Sequence, residues 1–582
     1  MTTPSRRLQG WVLAPLLALP GPSGPGQGPG PGIGSGVGPA SQLEAPQEGG
    51  ETVAPERELE HVLDDLLPSR GLAARTAAFE AAGRSEDARF LAPLVDLLRF
   101  ADTAEEWFRI LDALGAILGE DTRAIERPWR TFTERLARDT ELPEFAPYAR
   151  WKGELLAELV DPRFRAFLYG DVPRRIRLHE VVWGGVAVDG IPPLDDPAVL
   201  DAEAAPHLAP TAPVFGVVLN GEARAYPLEL LDWHEMSNDV LGGIPIALAY
   251  CTLCGAGVVY DARTEEEPRR FSSSGLLMRS NKLMYDRATE SLWNQLTGEP
   301  VTGPLADSGI RLAVLPSVVT TWGEWRDRQP ETTVLDPDTG FERDYRIGAS
   351  YGAYFASADT MFPAARPGSR GDGAGRPAKE RVFVVRLQSG AATFALEDLA
   401  ARGIAHAAVA GERVVVVPAR GKRVVPLDAR WSELLDGSDG QRARTADELS
   451  LADLERAWRA IPERFEAEFL LALDPLVRTA FFEWVIALDE RSGLARFPLE
   501  LRDEVAVRAL VGEVRAFDAG AHRFRRTSDP AVLLDADGRA WTVTERALTP
   551  ADSSDDSSPP ALSRLPGHLA FRFGWEAFET RD

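Results

Sequence analysis

The stretch that most constrains this chain is residues 244–261, IPIALAYCTLCGAGVVYD, which holds the only two cysteines of the sequence, Cys251 and Cys254. Two apolar runs flank a C-x-x-C-G turn, a pattern that predicts a strand, a tight turn and a second strand. In such a knuckle the backbone amides point at two thiols that face the same way. The turn therefore predicts half of a metal site or a complete dithiol.

Length and charge limit what can surround that turn. A chain of 582 residues is too long for one hydrophobic core and predicts roughly three or four folding units. Its net charge of −25 leaves no basic field that would attract phosphate. We therefore expect neither nucleic acid nor an anionic membrane surface as a partner.

The amino terminus has the features of an export signal. Arg6 and Arg7 precede a short apolar run at residues 11–19, which is too short to span a bilayer as a helix. We predict an export signal at residues 1–19 and a periplasmic or extracellular protein; a leader that is no signal would leave the protein cytoplasmic. Residues 20–56 are rich in Gly and Pro and predict a disordered linker. No later apolar run is long enough for an integral membrane span.

Hydrophobic periodicity divides the rest of the chain. Amphipathic segments over residues 57–170 predict a helical domain, suited to packing or to docking a protein partner. Short β-rich runs broken by Gly and Pro predict a first β-rich lobe at residues 172–363, which contains the knuckle. Gly, Pro and Arg dominate a linker at residues 364–380. Residues 381–582 are β-rich again, with a helical insertion at about residues 428–503.

The last part of the chain repeats the first β-rich lobe. Residues 383–399 lie without gaps on residues 215–231, with Phe, Val, Leu, Ala, Leu, Glu and Leu identical at equivalent positions. Such self-similarity predicts an internal duplication. Three polar or sulfur-containing residues of the first copy are replaced in the second: Cys251 falls on Ala419, Cys254 near Gly421 and His234 on Arg402.

Together these patterns predict an α+β multidomain protein. A helical amino-terminal domain precedes an internally duplicated, mainly β region, and the second copy carries a helical insertion. One copy is expected to fold without sulfur or imidazole at the equivalent places. This difference favours a functional role for the three residues of the first copy.

Four motifs of the first β-rich lobe resemble one known family. They are LLDWHEMSND at residues 230–239, YCTLCGAG at 250–257, SGLL at 274–277 and MYDRATESLW at 284–293. In this order and spacing they resemble the DUF3179 family, a domain of unknown function, over about residues 172–363 with a degenerate continuation to the carboxyl end. Members usually read Cys-Pro-x-Cys where this chain has Thr252, which implies a less rigid turn with both thiols kept. The family has no assigned reaction, so the resemblance implies a domain without an activity.

One imidazole and two sulfurs form the leading candidate site. His234, Cys251 and Cys254 are a ligand set that suits zinc or copper. The ligand that completes the set would decide between the metals, because a thioether favours copper and a carboxylate favours zinc. The weaker candidates for that ligand are Met278 and Met284 on one side, and Glu235 and Asp286 on the other.

A second polar cluster follows the knuckle. Asp286 and Arg287 are candidates for a substrate-orienting or proton-transfer pair with Glu290 beside them, and a buried structural ion pair is the competing interpretation. Three functions stay open. The chain is a metal-dependent or redox enzyme or metal-handling protein, a non-catalytic binding module whose C-x-x-C only braces a turn, or a thiol–disulfide exchange centre.

Overall fold

The computed structural model describes three stretches of the chain, which are residues 56–364 without 266, residues 376–418, and residues 503–578 without 504, 505, 509, 530 and 553–557. Residues 1–59 and 60–582 form separate units, and the contacts reported below lie within the second. Several predictions fall wholly or in greater part outside the described residues. These are the export signal at 1–19, the linkers at 20–56 and 364–380, the insertion at 428–503, and the second-copy positions Ala419 and Gly421.

Helices account for most of residues 56–167, as the amphipathic pattern predicts. The Thr103 side chain accepts a hydrogen bond from the Glu106 amide at one helix start, and Pro128 occupies the first turn of another, where its missing amide costs nothing. No helix of the described stretches has both the length and the apolar character of a membrane crossing. The helices are α1 (Glu56–Asp65), α2 (Gly71–Ser85), α3 (Leu91–Leu98), α4 (Ala104–Leu118), α5 (Pro128–Arg138), α6 (Tyr148–Leu159) and α7 (Phe164–Phe167).

Fifteen short strands and three helices follow before residue 364. The strands are β1 (Val181–Trp183), β2 (Leu194–Asp195), β3 (Val199–Asp201), β4 (Pro213–Leu219), β5 (Glu222–Pro227), β6 (Met236–Leu241), β7 (Ile244–Cys251), β8 (Ala256–Asp261), β9 (Phe271–Met278), β10 (Asn281–Asp286), β11 (Leu292–Asn294), β12 (Glu299–Thr302), β13 (Val314–Leu315), β14 (Ser317–Thr321) and β15 (Thr333–Leu335). The helices are α8 (Leu228–His234), α9 (Trp322–Arg328) and α10 (Gly352–Phe355). The strands form three sheets in the orders β1-β9-β10-β11-β12, β13-β8-β7-β6-β2 and β14-β4-β5-β15-β3.

The described residues after 376 are mainly β as well. Their elements are β16 (Arg381–Leu387), β17 (Gly390–Ala395), α11 (Leu396–Arg402), β18 (Ala405–Val409), β19 (Glu412–Pro418), β20 (Val514–Asp518), β21 (Arg525–Arg526), β22 (Val532–Leu534), β23 (Ala540–Val543), β24 (Ala547–Pro550), β25 (Leu562–Leu565), β26 (Gly567–Phe571) and α12 (Arg572–Glu576). They form a three-stranded sheet, β17-β16-β26, and an eight-stranded sheet, β18-β19-β20-β25-β24-β23-β22-β21. The predicted order of a helical region followed by mainly β structure is confirmed.

The two β-rich parts use the same order of elements. In each part a hairpin leads into a seven-residue helix and then into a second hairpin, as β4-β5-α8-β6-β7 and as β16-β17-α11-β18-β19. In each part a late strand also returns to the first hairpin, because β14 pairs with β4 and β26 pairs with β16. One apolar core contains side chains of both parts, among them Phe215, Tyr250 and Cys254 from the first and Val384, Phe571 and Trp575 from the second.

A buried ion cluster also joins the two parts. Glu545, next to β24, lies 2.6 Å from the Arg564 guanidinium and 3.3 Å from that of Arg328, which belongs to α9 of the first part. The Arg515 side chain donates to both carboxylate oxygens of Glu545 over 3.1 Å. Arg328 also pairs with Glu513 at 2.7 Å. Arg328 is thus the first part's contribution to an ion cluster whose other members, Glu513, Arg515, Glu545 and Arg564, belong to the second.

Candidate functional site

The cysteine turn forms as the sequence predicts. Cys251 ends β7, residues 252–254 make a single turn of 3₁₀-helix, and β8 returns antiparallel so that Cys251 pairs with Ala256. Gly255 closes the turn with a φ of 54°, in the left-handed region that glycine adopts most readily. A Cβ at Gly255 would also lie 2.9 Å from the Phe571 ring. Both backbone conformation and packing therefore require glycine here.

Both thiols are free and buried between the turn and the β9–β10 hairpin. Cys251 is 1% exposed and Cys254 is fully enclosed. The Cys254 thiol donates to the Ser280 carbonyl oxygen at 3.3 Å, and the Asn281 side-chain amide donates to the Cys254 sulfur at 3.5 Å. The sulfurs thus lie in a polar environment although the surrounding core is apolar.

The two thiols differ in acidity. Burial alone raises the pKa of a thiol, but the neighbouring Cys254 side chain and the backbone amides of Lys282 and Cys254 hold the pKa of Cys251 below its ordinary value. Burial, together with the neighbouring Cys251 sulfur, raises the pKa of Cys254 well above its ordinary value. Cys251 is therefore the more acidic of the two thiols, and the Cys254 thiol keeps its proton, hydrogen-bonded to the Ser280 carbonyl.

A buried lysine and a buried glutamate stand beside the sulfur pair. The Lys282 ammonium donates to the Glu235 backbone oxygen at 2.9 Å and lies 3.5 Å from its carboxylate. The Thr252 hydroxyl, inside the C-x-x-C turn, donates to the same carboxylate at 3.0 Å. Burial lowers the pKa of Lys282, while Glu235 and Cys251 act in the opposite direction. Lys282 thus lies beside both the Glu235 carboxylate and Cys251, and each of them favours its charged form.

His234 lies at the end of α8 and both of its ring nitrogens are bonded. Nδ1 lies 2.8 Å from the Pro192 carbonyl oxygen and Nε2 lies 2.6 Å from the Tyr345 hydroxyl. Because a carbonyl can only accept, Nδ1 carries the proton, and the Tyr345 hydroxyl donates to Nε2. Burial lowers the pKa of His234, which keeps the ring neutral. Each ring nitrogen of His234 is therefore bonded to a residue other than Cys251 or Cys254.

The remaining predicted ligands are buried in the same region. Met284 belongs to the apolar core that contains both cysteines, and Met278 ends β9 opposite Val181. In the described stretches, no three His, Cys, Asp or Glu side chains come together in a way that would hold a metal ion. The predicted His234, Cys251 and Cys254 metal set stays a prediction, with Glu235 hydrogen-bonded to Thr252 instead.

Asp286 organises a turn. Its carboxylate accepts hydrogen bonds from the Thr289 amide at 2.9 Å, the Thr289 hydroxyl at 2.7 Å and the Trp293 indole at 2.8 Å. In the second part, the Asp535 carboxylate accepts from the Trp541 indole at 3.0 Å. These contacts are those of a structural carboxylate. The catalytic role of Asp286 stays a prediction.

The other two members of that cluster lie at the surface. The Arg287 side chain donates to the Ser272 hydroxyl and to the Asp195 carboxylate, each at 2.7 Å. Glu290 is exposed and has a positive φ of 56° in the turn. Their contacts with Asp286 are limited to the backbone of the turn, where the Glu290 amide donates to the Asp286 carbonyl. A catalytic role for Arg287 and Glu290 likewise stays a prediction.

We expect Asp286→Ala and Asp535→Ala each to lower the free energy of unfolding by roughly 2 to 3 kcal/mol, because each leaves a buried indole N–H without an acceptor. Chemical denaturation measures both. Glu290→Ala serves as the control in the same turn and should change stability by less than about 0.5 kcal/mol. Equal stability of Asp286→Ala and Glu290→Ala would contradict the structural role of the carboxylate.

The carboxyl-terminal part covers the sulfur pair. A Cβ added to Gly574 in α12 would lie 3.0 Å from the Cys254 Cβ and 3.1 Å from its sulfur. On another side, the Tyr354 hydroxyl donates to the Leu253 carbonyl at 2.6 Å. The site is therefore enclosed by elements that are distant from the knuckle in sequence.

Sequence reasoning missed Lys282, Tyr345 and Gly574. Lys282 left little signal, because it follows the polar residues Arg279, Ser280 and Asn281 and does not interrupt an apolar run. Tyr345 and Gly574 leave none, since each reaches the site across 100 residues or more of chain.

The fold and the site define a mainly β protein with a helical amino-terminal region and an enclosed dithiol. The chain belongs to the family described as protein of unknown function (DUF3179), whose family model matches residues 188–484. The resemblance read from the four motifs is thereby confirmed, and the match continues beyond residue 363. No curated protein and no solved structure matches the chain.

Proposed function

We propose that Cys251 and Cys254 form a redox-active dithiol that exchanges with a disulfide. The observation that carries the proposal is the geometry of the turn, where two free and buried thiols share one C-x-x-C motif and Cys254 contacts the Ser280 carbonyl and the Asn281 amide. The lowered pKa of Cys251 and the raised pKa of Cys254 support it. A nucleophilic thiolate beside a neutral resolving thiol is the arrangement that thiol–disulfide exchange requires. The Lys282 cation supports the thiolate.

The exchange takes place in two balanced steps. The Cys251 thiolate attacks one sulfur of a substrate disulfide, R–S–S–R, which forms a mixed disulfide and releases one thiolate, R–S⁻. Cys254 then loses its proton and attacks the Cys251 sulfur, which releases the second R–S⁻ and leaves a Cys251–Cys254 disulfide. Two electrons pass to the substrate, and the Cys254 proton ends on a released thiolate.

The space around Cys254 also supports a disulfide. The sulfur is confined by the Ser280 carbonyl at 3.3 Å and by the backbone of Gly574. A disulfide bond of about 2.05 Å brings the sulfurs together and needs no added room. A zinc ion with Zn–S bonds of about 2.3 Å would need two further ligands, and both nitrogens of His234 have other partners.

A soft metal at the two sulfurs is the second candidate function. Two thiolates are ligands that copper(I) accepts. The buried Lys282 ammonium, which interacts with Cys251, would offset the negative charge of a metal dithiolate. This candidate keeps the predicted copper and leaves zinc the weaker choice.

The two β-rich parts support descent from one duplicated unit, which we also propose. The hairpin–helix–hairpin order is the same in both parts. The equivalent pairs Asp286–Trp293 and Asp535–Trp541 make the same carboxylate–indole hydrogen bond. In this scheme the first copy alone keeps the dithiol. Export through the predicted signal at residues 1–19 would place that dithiol in a compartment where disulfides form.

Equilibration in glutathione redox buffers, followed by acid quenching and mass spectrometry, tests the redox function. We expect wild-type protein to lose two thiols together and form an internal disulfide, with a defined midpoint. Cys254→Ser should instead accumulate a mixed disulfide with glutathione on Cys251, whereas the matched variant Cys251→Ser should accumulate little.

Two outcomes would overturn the redox proposal. Thiols that stay reduced in every buffer, with no metal bound, would leave the cysteines as a brace of the turn in a binding module. One equivalent of copper that survives dialysis in wild-type protein, is lost in the Cys251→Ser, Cys254→Ser double variant and blocks oxidation would favour the metal.

A further inference from the structure

Helix α12 lies directly on Cys254. Its Gly574 is so close to Cys254 that an added Cβ would fall 3.1 Å from the sulfur. Phe571, the last residue of β26 and the one before α12 begins, packs its ring on Gly255 of the cysteine turn. A reagent reaches the sulfurs of the reduced protein only during brief movements of α12 away from this position, since Cys251 and Cys254 are enclosed.

One arginine from the opposite side ties down the end of this helix. The Arg279 guanidinium donates to the Ala577 carbonyl oxygen at 2.7 Å. Its central carbon, Cζ, lies 5.5 Å from the centre of the Phe578 ring. The same side chain pairs with the buried Glu180 carboxylate. Arg279 thus holds the residues that follow α12 against the first β-rich part.

The turn that carries Arg279 also receives the hydrogen bond of Cys254. Arg279 and Ser280 form the β9–β10 turn, both with positive φ, 49° and 65°. The Ser280 carbonyl accepts from the Cys254 thiol, while the Arg279 side chain reaches Ala577. The residue that accepts the hydrogen bond of Cys254, Ser280, and the residue whose side chain bonds to the end of the α12 segment, Arg279, are therefore neighbours in the chain.

We propose that residues 572–578 are a redox-sensitive cap over the dithiol, latched by Arg279. In the reduced protein the Cys254 thiol satisfies the Ser280 carbonyl and the cap is closed. Formation of the Cys251–Cys254 disulfide removes that proton, as written above, so the buried carbonyl loses its donor and the turn shifts to find another. The shift loosens the latch and opens the cap. The coupling to oxidation rests on the proposed redox function; the cap itself does not.

The cap predicts thiol reactivity in the full-length reduced protein. Arg279→Gln should raise the rate at which 5,5′-dithiobis(2-nitrobenzoate) reacts with the thiols about tenfold or more, because it frees the end of α12 without unfolding the core. Gly574→Ala should also raise this rate, because the added methyl group displaces α12 from Cys254. The control Arg287→Gln, which lies at the far end of β10, should stay within about twofold of wild type.

Hydrogen exchange measured by mass spectrometry tests the coupling. Peptides that cover residues 567–578 should exchange faster in oxidised than in reduced wild-type protein, while β4 peptides should not change. Chemical denaturation of each variant separates cap opening from global unfolding. If the thiols of Arg279→Gln and of Gly574→Ala react at the wild-type rate, the cap proposal is overturned.

The two proposals fail in different ways. Thiols that react faster in Arg279→Gln but never form a disulfide at equilibrium would support the cap and reject the redox function. A disulfide that forms at equal rates in wild type and Arg279→Gln, with unchanged exchange of residues 567–578, would support the redox function and reject the cap.

Discussion

Replacing Glu545 by glutamine should lower the free energy of unfolding by about 3 to 5 kcal/mol, the usual cost of breaking a buried charge pair by removing one partner. Glu545 is enclosed and faces the guanidinium groups of Arg515, Arg564 and Arg328. Glutamine keeps the shape but removes the carboxylate that contacts all three of these guanidinium groups, while Glu513 still pairs with Arg328 and Arg515. Urea denaturation followed by tryptophan fluorescence measures the loss.

The same carboxylate predicts how stability depends on pH. Burial opposes ionisation, but the charges of Arg515 and Arg564 outweigh it and hold the pKa of Glu545 far below its ordinary value. A carboxyl whose folded pKa is depressed stabilises the fold above its unfolded pKa of about 4.3, and this contribution is lost as the pH falls below that value. Wild-type stability should therefore fall below about pH 4.3 more steeply than that of Glu545→Gln.

The control for this pair of measurements is Glu412→Gln. Glu412 is exposed on β19, and its carboxylate accepts a hydrogen bond from the Ser389 hydroxyl at 2.7 Å. Its replacement should change stability by less than about 0.5 kcal/mol and leave the pH dependence as in wild type. If Glu545→Gln matches Glu412→Gln both in stability and in its dependence on pH, the Glu545 ion cluster does not stabilise the fold.

Replacing Lys282 by methionine should both destabilise the protein and raise the pKa of the Cys251 thiol. Methionine fills the space but leaves the Glu235 carboxylate buried without its cation, at an expected cost of about 3 to 5 kcal/mol. The Cys251 thiolate loses the positive charge beside it, so a higher pH is needed to form it. Denaturation measures the first effect, and the ultraviolet absorbance of the thiolate against pH measures the second.

Lys152→Met is the matched control for Lys282→Met. Lys152 is equally enclosed, and its ammonium donates to the Asp96 carboxylate at 2.9 Å in the helical region. Its loss should also destabilise the protein, because Asp96 is left unpaired, yet the thiolate titration should be that of wild type. A titration of Lys282→Met that coincides with those of wild type and Lys152→Met would show that Lys282 does not support the thiolate.

The sequence predicts those parts of the site that are local in the chain. The knuckle follows from alternating apolar residues around C-x-x-C-G, and the left-handed Gly255 confirms the tight turn. Of the backbone amides that lower the pKa of Cys251, that of Cys254 belongs to the turn and that of Lys282 lies outside it. Such features depend on neighbours within about ten residues, and for these the backbone pattern is sufficient.

The partners of each side chain could not be predicted in the same way. His234 bonds to Tyr345 across 111 residues, and nothing in the local pattern of α8 distinguishes this bond from metal coordination. The fold class shows the same limit: periodicity predicts helices and then strands, but the pairing of β26 with β16 depends on residues 567–571 returning to 381–385. Long-range contacts follow from packing of the whole chain, which a single sequence does not display.

The contact between Gly574 and Cys254 has a consequence for how this chain can be divided. A fragment that ends near residue 364 would contain the entire cysteine motif, yet it would expose both sulfurs and the apolar surface that Phe571 and Trp575 now cover. Exposed surface of this kind promotes aggregation and random oxidation. The first β-rich part should therefore not be stable when produced alone.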